Sequence, residues 1–287
     1  VCKSTKGLLT KTKISNKDIA VVSFSGQMMG CLPVDRQGKP LRPSIIWADR
    51  RAEKQSAKLQ DKISQWDFYH IVGHRNTASY GIQKLMWIKE NEPEIYENTY
   101  KMLNAKDYIV FRLTGKFYTD YSDGNSCGCF ELRKLTWSEK ILQYADIEID
   151  KLPELKPSTF IGGYVTEPAA LETGLHKGTP VVLGGGDGVT ANVGTGSVRP
   201  GRTYCSMGTS AWITTTSENP IFDEKMRIVN WAHIIPGFYA PNGTMQSAGA
   251  SYSWLKETIC LMEQYNAKLH GKSPYDYINC EIEKSPA

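Results

Sequence analysis

Two hydrophobic periods alternate along the first part of the chain. Residues 18–26 are rich in β-branched side chains and predict a buried strand closed by a glycine. Residues 31–35 predict a second strand that leads into a turn, and residues 44–47 form a third short apolar run. A helical period then begins, because one stripe at helical spacing collects Ala48, Ala52, Leu59 and Ile63.

Helical spacing returns further along. Residues 82–91 predict a second helix, and Pro93 follows it, where helices tend to stop. The same spacing recurs in three later stretches: 105–113, which Gly115 closes, 137–145 and 250–265.

The pattern changes after about residue 159, where glycine-rich turns separate short strands. Residues 202–217 predict two strands around a Gly-Thr-Ser turn, and residues 238–244 predict another turn. Because strands and helices mix throughout, we expect an α/β fold. We place a domain boundary between residues 197 and 198, so that residues 1–197 form one domain and residues 198–287 begin a second.

Composition and charge narrow the choice of partners. The 287 residues include 34 basic and 30 acidic side chains, and no basic stripe is interleaved with aromatics, which argues against a nucleic-acid partner. No apolar run approaches the roughly 20 residues that span a bilayer, and no secretion signal is recognised. The seven cysteines lack the spacing of a metal site, so we predict reduced thiols, no metal ligands and a cytoplasmic protein.

The segment GGGDG places Asp187 at a predicted helix start. Glycines let the backbone approach a ligand closely, and a helix N-terminus offers free N–H groups to anions. On spacing alone, a plain helix N-cap explains the aspartate more simply.

The segment SMGTSAW offers backbone N–H groups and two hydroxyls in one turn, Gly208, Thr209 and Ser210. This combination suits a terminal phosphate. It also suits an ordinary hairpin turn, and it is not a P-loop.

The segment SGQMMG ends the first predicted strand with Gln27, Met28 and Met29, and WADRR follows with Trp47. Such a strand end suits the lining of a small-ligand pocket. Methionine more often fills a core, so packing alone also explains the pair.

These segments, together with KLMWIKENEP and NAKDYIVFRLTGKFYTDYSD, occur in one order. The series resembles the FGGY carbohydrate kinases, and among them the xylulokinases, over roughly residues 18–265. The resemblance implies an actin-like, ribonuclease-H-like fold of two domains, with sugar and ATP meeting in the cleft between them. The family's opening phosphate hairpin and its adenosine loop are not recognised, so we expect an internal portion of a kinase, incomplete at both ends and inactive by itself.

The resemblance also implies roles for particular residues. Asp187 is then the base that accepts the proton of the sugar hydroxyl, and Gly188 contacts substrate through its backbone. Met28 and Met29 occupy the positions of a sugar-contacting pair. Xylulokinases usually have histidine where this chain has Met29, which places xylulose itself in question.

Gln27, Trp47 and Tyr80 are implied neighbours of the sugar. Gly81 departs from the family, which usually has proline, serine or threonine there. The turn at residues 208–210 would touch the ATP phosphates, and Mg²⁺ would arrive with ATP.

The expected function is ATP-dependent phosphorylation of a pentulose such as xylulose. The alternatives are a kinase for gluconate, ribulose or a tetritol, and a non-catalytic sugar-binding protein on the same scaffold. A homodimer remains open.

Overall fold

The computed structural model describes residues 1–285. By its contacts the chain forms two compact units. The first comprises Val1–Arg202 and Thr215–Pro241, and the second comprises Thr203–Thr214 and the described residues from Asn242 onward. The domain boundary expected between residues 197 and 198 stays a prediction about the family's domains.

The first unit contains most of the helices. They are α1 (Cys2–Thr12), α2 (Glu53–Lys62), α3 (Gln65–Val72), α4 (Gly81–Asn91), α5 (Pro93–Asn98), α6 (Ala105–Thr114), α7 (Tyr121–Asn125), α8 (Glu139–Ala145), α9 (Glu167–Thr173) and α10 (Asp187–Gly194). The second unit adds α11 (Gly249–Thr258), α12 (Leu261–His270) and α13 (Pro274–Glu283). No helix within residues 1–285 combines the length and apolar character needed to cross a membrane.

The strands are short. In chain order they are β1 (Ser25–Gly26), β2 (Leu32–Val34), β3 (Lys101–Leu103), β4 (Tyr118–Asp120), β5 (Phe130–Glu131), β6 (Thr136–Trp137), β7 (Glu154–Lys156), β8 (Ile161–Tyr164), β9 (Pro180–Val182), β10 (Gly185–Gly186), β11 (Thr203–Met207), β12 (Ala211–Thr215), β13 (Val229–Ala232) and β14 (Tyr239–Met245).

Strand pairing places the first strand beside the glycine-rich segment. β1 runs parallel to β10, and β4 runs parallel to β7, whereas β2–β3 and β8–β9 are antiparallel pairs. In the second unit, β11 and β12 are neighbours, and β12 is antiparallel to the end of β14.

The two largest apolar clusters among the described residues support the first unit. One is formed by α2, α3, α4 and α8, through Leu59, Phe68, Leu85 and Ile141. The other lies around α6, α9 and β9, and includes Val110, Ala169, Val181 and Leu183. Each fully buried valine, leucine, isoleucine or phenylalanine side chain contributes about 1.5–3 kcal/mol. The second core therefore anchors the strand that leads into β10.

The helices α4 and α6 follow the sequence predictions closely. α6 begins with a reciprocal cap between Asn104 and Asp107, and Gly115 ends it at φ 74°. Such a left-handed end favours glycine, which has no Cβ to clash.

Four sequence predictions need correction. The helix predicted from Ala48 begins only at Glu53. The strand predicted over residues 18–26 is regular only at β1, because Gly184, at φ 69°, breaks the ladder; a Cβ on it would lie 1.9 Å from the Phe24 carbonyl oxygen. The sequence predicts a turn at residues 238–244, but residues 239–244 belong to the continuous strand β14. The final helix is interrupted between α11 and α12, where Thr258 and Ile259 are consecutive β-branched residues with low helix propensity.

Candidate active site

Asp187 begins helix α10 directly after β10, and its side chain is exposed. Its Oδ1 accepts a 2.8 Å hydrogen bond from the backbone nitrogen of Gly188. The N-cap position belongs to Gly186, so the interpretation of Asp187 as a plain N-cap is wrong. The site thus presents a carboxylate in the first helical turn, where the helix dipole favours negative charge.

The glycines before Asp187 make close contacts within the protein. A Cβ on Gly185 would lie 2.9 Å from Ser122 Oγ, and one on Gly186 would lie 2.4 Å from Met28 Cγ. Neighbouring side chains therefore explain glycine at both positions. The expectation that these glycines let the backbone approach a ligand closely stays a prediction.

Met28 is buried, and it packs with Val189 of α10 and Ala240 in a small apolar cluster that Met29 and Trp231 flank. Met29 is half-buried and has φ 62°. Ser126 Oγ accepts a 3.0 Å hydrogen bond from the Met29 nitrogen. The methionine pair therefore adjoins the helix that carries Asp187.

Tyr80 forms an aromatic wall with two residues that the sequence did not single out. The Tyr80 ring stacks on His74 with centroids 4.0 Å apart and lies 6.4 Å from Trp231. Burial lowers the pKa of His74 to about 4, so its ring is neutral at pH 7. Burial also raises the pKa of the Tyr80 hydroxyl. No local spacing marks His74 or Trp231, because the wall forms only when distant segments meet.

Two of the remaining expected substrate neighbours are on the surface. Gln27 is exposed on the turn after β1, and Trp47 is 53% exposed. Gly188 is half-buried on α10. Gln27 and Trp47 are accessible to a ligand, whereas Met28 and Tyr80 are buried.

Helix α7 and the residue that follows it form a buried polar cluster that hydrogen-bonds to Gly186, His74 and Met29. Ser122 Oγ accepts a 2.9 Å hydrogen bond from the Gly186 nitrogen. The carbonyl oxygen of Asn125 lies 3.0 Å from His74 Nε2. With the Ser126 bond to Met29, three residues of one short segment position three parts of the site.

A fully buried ammonium lies beside this cluster. Lys106 Nζ is 2.8 Å from Asp107 Oδ1, 3.1 Å from Asp120 Oδ1 and 3.3 Å from Asp123 Oδ2. Burial opposes its charge, but the three carboxylates together outweigh burial and raise the pKa of Lys106 well above its usual range. Burial raises the pKa of Asp107 and of Asp123. Lys106 already occupies the centre of these carboxylates, and residues 1–285 contain no cluster of three His, Cys, Asp or Glu side chains suited to a metal ion.

The Gly208–Thr209–Ser210 turn belongs to the second unit, where it joins β11 to β12. The Gly208 and Thr209 carbonyl oxygens accept hydrogen bonds of 2.8 and 2.9 Å from the nitrogens of Gly249 and Ala248. The turn is thereby fixed to the N-terminus of α11. A Cβ on Gly249 would lie 2.4 Å from the Gly208 oxygen, which explains glycine at this close approach.

Comparisons with known proteins agree with this architecture. A family model described as the FGGY family of carbohydrate kinases, N-terminal domain, matches residues 1–194. The xylulose kinase of Bacillus subtilis is 31% identical over 264 residues, which are 92% of this chain and 53% of that protein. The gluconokinase of the same organism is 30% identical over 262 residues, which are 91% of this chain and 51% of that protein.

A solved structure of a sugar kinase also matches this chain. The crystal structure of xylulose kinase from Rhodospirillum rubrum matches with a TM-score of 0.90 at 27% identity, over 99% of this chain and 56% of that one. The expected actin-like, ribonuclease-H-like α/β fold class is confirmed. The chain spans about half the length of the curated relatives it matches. Its sequence and its fold together establish that the chain belongs to the FGGY family of carbohydrate kinases.

Proposed function

We propose that this chain is the sugar-side portion of an ATP-dependent kinase that phosphorylates a hydroxyl of a pentulose such as xylulose. The observation that carries the proposal is the exposed carboxylate of Asp187 at the start of α10, the helix that packs through Val189 against Met28. The names of the relatives support a sugar as substrate.

In the proposed reaction, Asp187 accepts the proton of the attacking sugar hydroxyl. The hydroxyl oxygen forms a bond to the γ-phosphorus of ATP as the bond to the ADP oxygen breaks. The transition state is loose, so the carboxylate acts chiefly by orienting the hydroxyl and taking its proton late. The products are sugar phosphate and ADP, and the proton resides on Asp187 until it passes to water.

The turn at residues 208–210 fits a phosphate group. It is largely exposed, it carries two hydroxyls, and a Cβ at Gly208 would come no closer than 3.8 Å to the Ser210 oxygen, so the space before it is open. We propose that it holds a terminal phosphate of ATP. Mg²⁺ bound to those phosphates supplies positive charge that offsets the charge developing during transfer.

A second substrate class has specific support. Met29 stands where xylulokinases usually have histidine, and a gluconokinase is 30% identical to this chain. We therefore keep gluconate as the first alternative substrate. Ribulose and tetritols are further alternatives. A non-catalytic sugar-binding protein is the alternative from another class, and a homodimer is compatible with either.

The test is ADP release by the complete protein with ATP and Mg²⁺, across pentuloses, hexuloses, gluconate and polyols. Asp187→Ala should lower kcat by about 10²–10⁴-fold, the usual contribution of a general base, while sugar affinity stays within a few-fold. Asp61→Ala removes an exposed acid from α2 and is the matched control. Sugar binding without turnover in the unaltered protein would favour the binding-protein alternative. The 287-residue chain alone should show negligible turnover, since it spans about half the length of its relatives.

A further inference from the structure

Lys84 is a buried cation that the proposed reaction leaves without a role. It lies in the first turn of α4, and its side chain is fully buried although its charge would favour water. Lysine is almost never fully buried unless it is paired. Its partners therefore indicate what the position does.

All three ammonium donors of Lys84 have main-chain acceptors. Nζ donates to the carbonyl oxygen of Met29 at 2.7 Å, to that of Ile46 at 2.8 Å and to that of Ser79 at 2.5 Å. An ammonium has three N–H donors, so this arrangement uses its full capacity. A neutral side chain of similar length could not satisfy three carbonyl groups in the same place.

The three acceptors come from three separate segments of the first unit. Met29 is a member of the methionine pair, Ile46 directly precedes Trp47, and Ser79 directly precedes Tyr80. Each segment lies in a connection between regular elements. One ammonium thus joins the backbones of the three segments that carry expected sugar neighbours.

The Met29 segment depends especially on this contact. Met29 has φ 62°, a left-handed conformation that costs a residue with a Cβ roughly 1–2 kcal/mol. Its carbonyl is held by Lys84 and its nitrogen by Ser126. These bonds on both sides keep an unfavourable backbone conformation in place.

We propose that Lys84 is a positioning residue of the sugar site, which fixes the Met29, Trp47 and Tyr80 segments relative to one another without touching the sugar. This rests on the proposed function. Loss of the ammonium should loosen the sugar site and leave the ATP site unaffected.

The hydrogen bonds of Lys84 also depend on its charge state, and therefore on pH. Burial lowers its pKa to about 8, against a favourable interaction with the Asp49 carboxylate, while Arg51 lowers it further. Burial raises the pKa of Cys31 to about 12 and that of Cys127 well above its usual range, so both thiols stay neutral as Lys84 titrates. A neutral amine has two N–H donors, so one carbonyl loses its bond as the pH rises past about 8.

The experiment compares Lys84→Met with Lys89→Met in the complete protein. Lys89 lies on the same helix but binds the Asp146 carboxylate beyond α8, so it controls for losing a lysine from α4. We expect Lys84→Met to raise the sugar KM at least 30-fold while the ATP KM and kcat change less than threefold. Lys89→Met should leave all three within threefold.

Turnover by the unaltered protein is scored first, so its absence would contradict the proposed function rather than the role of Lys84. A sugar KM within threefold in Lys84→Met, or equal increases in the two KM values, would overturn the proposal. Propylammonium added to Lys84→Ala should restore part of the sugar affinity.

If the Lys84 variants do not fold, hydrogen exchange of the unaltered protein replaces them. Saturating sugar should slow exchange together in residues 28–30, 45–48 and 78–81. Protection of a single segment, or of none, would overturn the proposal.

Discussion

The backbone nitrogen of Gly186 donates a 2.9 Å hydrogen bond to Ser122 Oγ, and Ser122 Oγ donates in turn to Asp120 Oδ2 at 2.6 Å. Asp120 also lies 3.1 Å from Lys106 Nζ. The residue before Asp187 is thereby tied to the buried charge cluster. The position of the proposed base depends on residues that do not touch the substrate.

Ser122→Ala should remove the acceptor of the Gly186 nitrogen. A buried polar group left unpaired costs about 1–3 kcal/mol, and the displaced backbone should lower kcat about tenfold. Ser158→Ala is the matched control, because Ser158 donates to the same Asp120 oxygen at 2.7 Å but does not bind Gly186. Urea unfolding should show that both variants are destabilised, and steady-state kinetics should show a lower kcat only for Ser122→Ala. Equal kcat values would mean that the Ser122–Gly186 hydrogen bond does not position Asp187.

Lys106→Met should leave three buried carboxylates without their cation. Breaking a buried pair in this way costs about 3–5 kcal/mol. Burial raises the pKa values of Asp107 and Asp123 and Lys106 lowers them, so removing Lys106 raises both pKa values further. The folded variant then holds more protons than the folded unaltered protein above the usual carboxyl range. Its free energy of unfolding should therefore fall more steeply as the pH rises, so the loss relative to the unaltered protein is larger at pH 8 than at pH 5.

The control for Lys106 is Lys58→Met, which breaks an exposed pair with Glu90 and should cost less than about 1 kcal/mol. Urea unfolding at the two pH values measures both variants. A loss for Lys106→Met that does not change with pH would show that Lys106 does not lower the pKa values of these carboxyl groups.

Gly186→Ala should be destabilising, because its Cβ would lie 2.4 Å from Met28 Cγ in a packed cluster. Overpacking of this kind costs about 1–3 kcal/mol. Gly188→Ala, two residues along α10, is the control, since nothing lies within 4 Å of its Cβ. Thermal unfolding should give a lower midpoint for Gly186→Ala and not for Gly188→Ala. A similar fall in both variants would mean that contact with Met28 does not cause the destabilisation.

His74 should make the stability depend on pH. Its folded pKa of about 4 lies below the ordinary 6.5, so the unfolded state binds the proton first as the pH falls. The stability it contributes is complete above pH 6.5 and is lost between about pH 6.5 and 4, by an amount on the order of a few kcal/mol. Replacing His74 by Gln removes the titrating ring, so its unfolding free energy should fall less steeply over that window. Parallel pH profiles would refute this assignment.

Met29→His should shift substrate preference towards xylulose. Histidine adds a hydrogen-bonding group where xylulokinases usually have one, and one such bond is worth about 0.5–1.5 kcal/mol, or roughly 2–10-fold in kcat/KM. Met262→His, at an exposed position of the second unit, is the control. The measurement is the ratio of kcat/KM for xylulose to that for gluconate. An unchanged ratio would show that residue 29 does not affect the preference between these substrates.

Local patterns predicted the elements whose signals are local. The helical period and Gly115 gave α6 to within one residue at its end, and GGGDG placed Asp187 at a helix start. The local pattern could not show that Gly184 breaks the first strand, because that depends on how close the Phe24 carbonyl lies. Nor could it show that His74 and Trp231 face Tyr80, since the three meet only through the fold. The assignments of the sugar and phosphate residues stay predictions.

The left-handed backbone at Met29 limits which side chains can evolve at this position. Glycine, asparagine, aspartate and histidine adopt such a φ more readily than most residues, whereas β-branched side chains are strongly disfavoured. Under the proposed role of Met29 in the sugar site, only a narrow set of replacements at this position could change the substrate range, because the backbone conformation excludes the others. Methionine and histidine are both unbranched at Cβ, so either avoids the clash that a β-branched side chain would make in this backbone conformation.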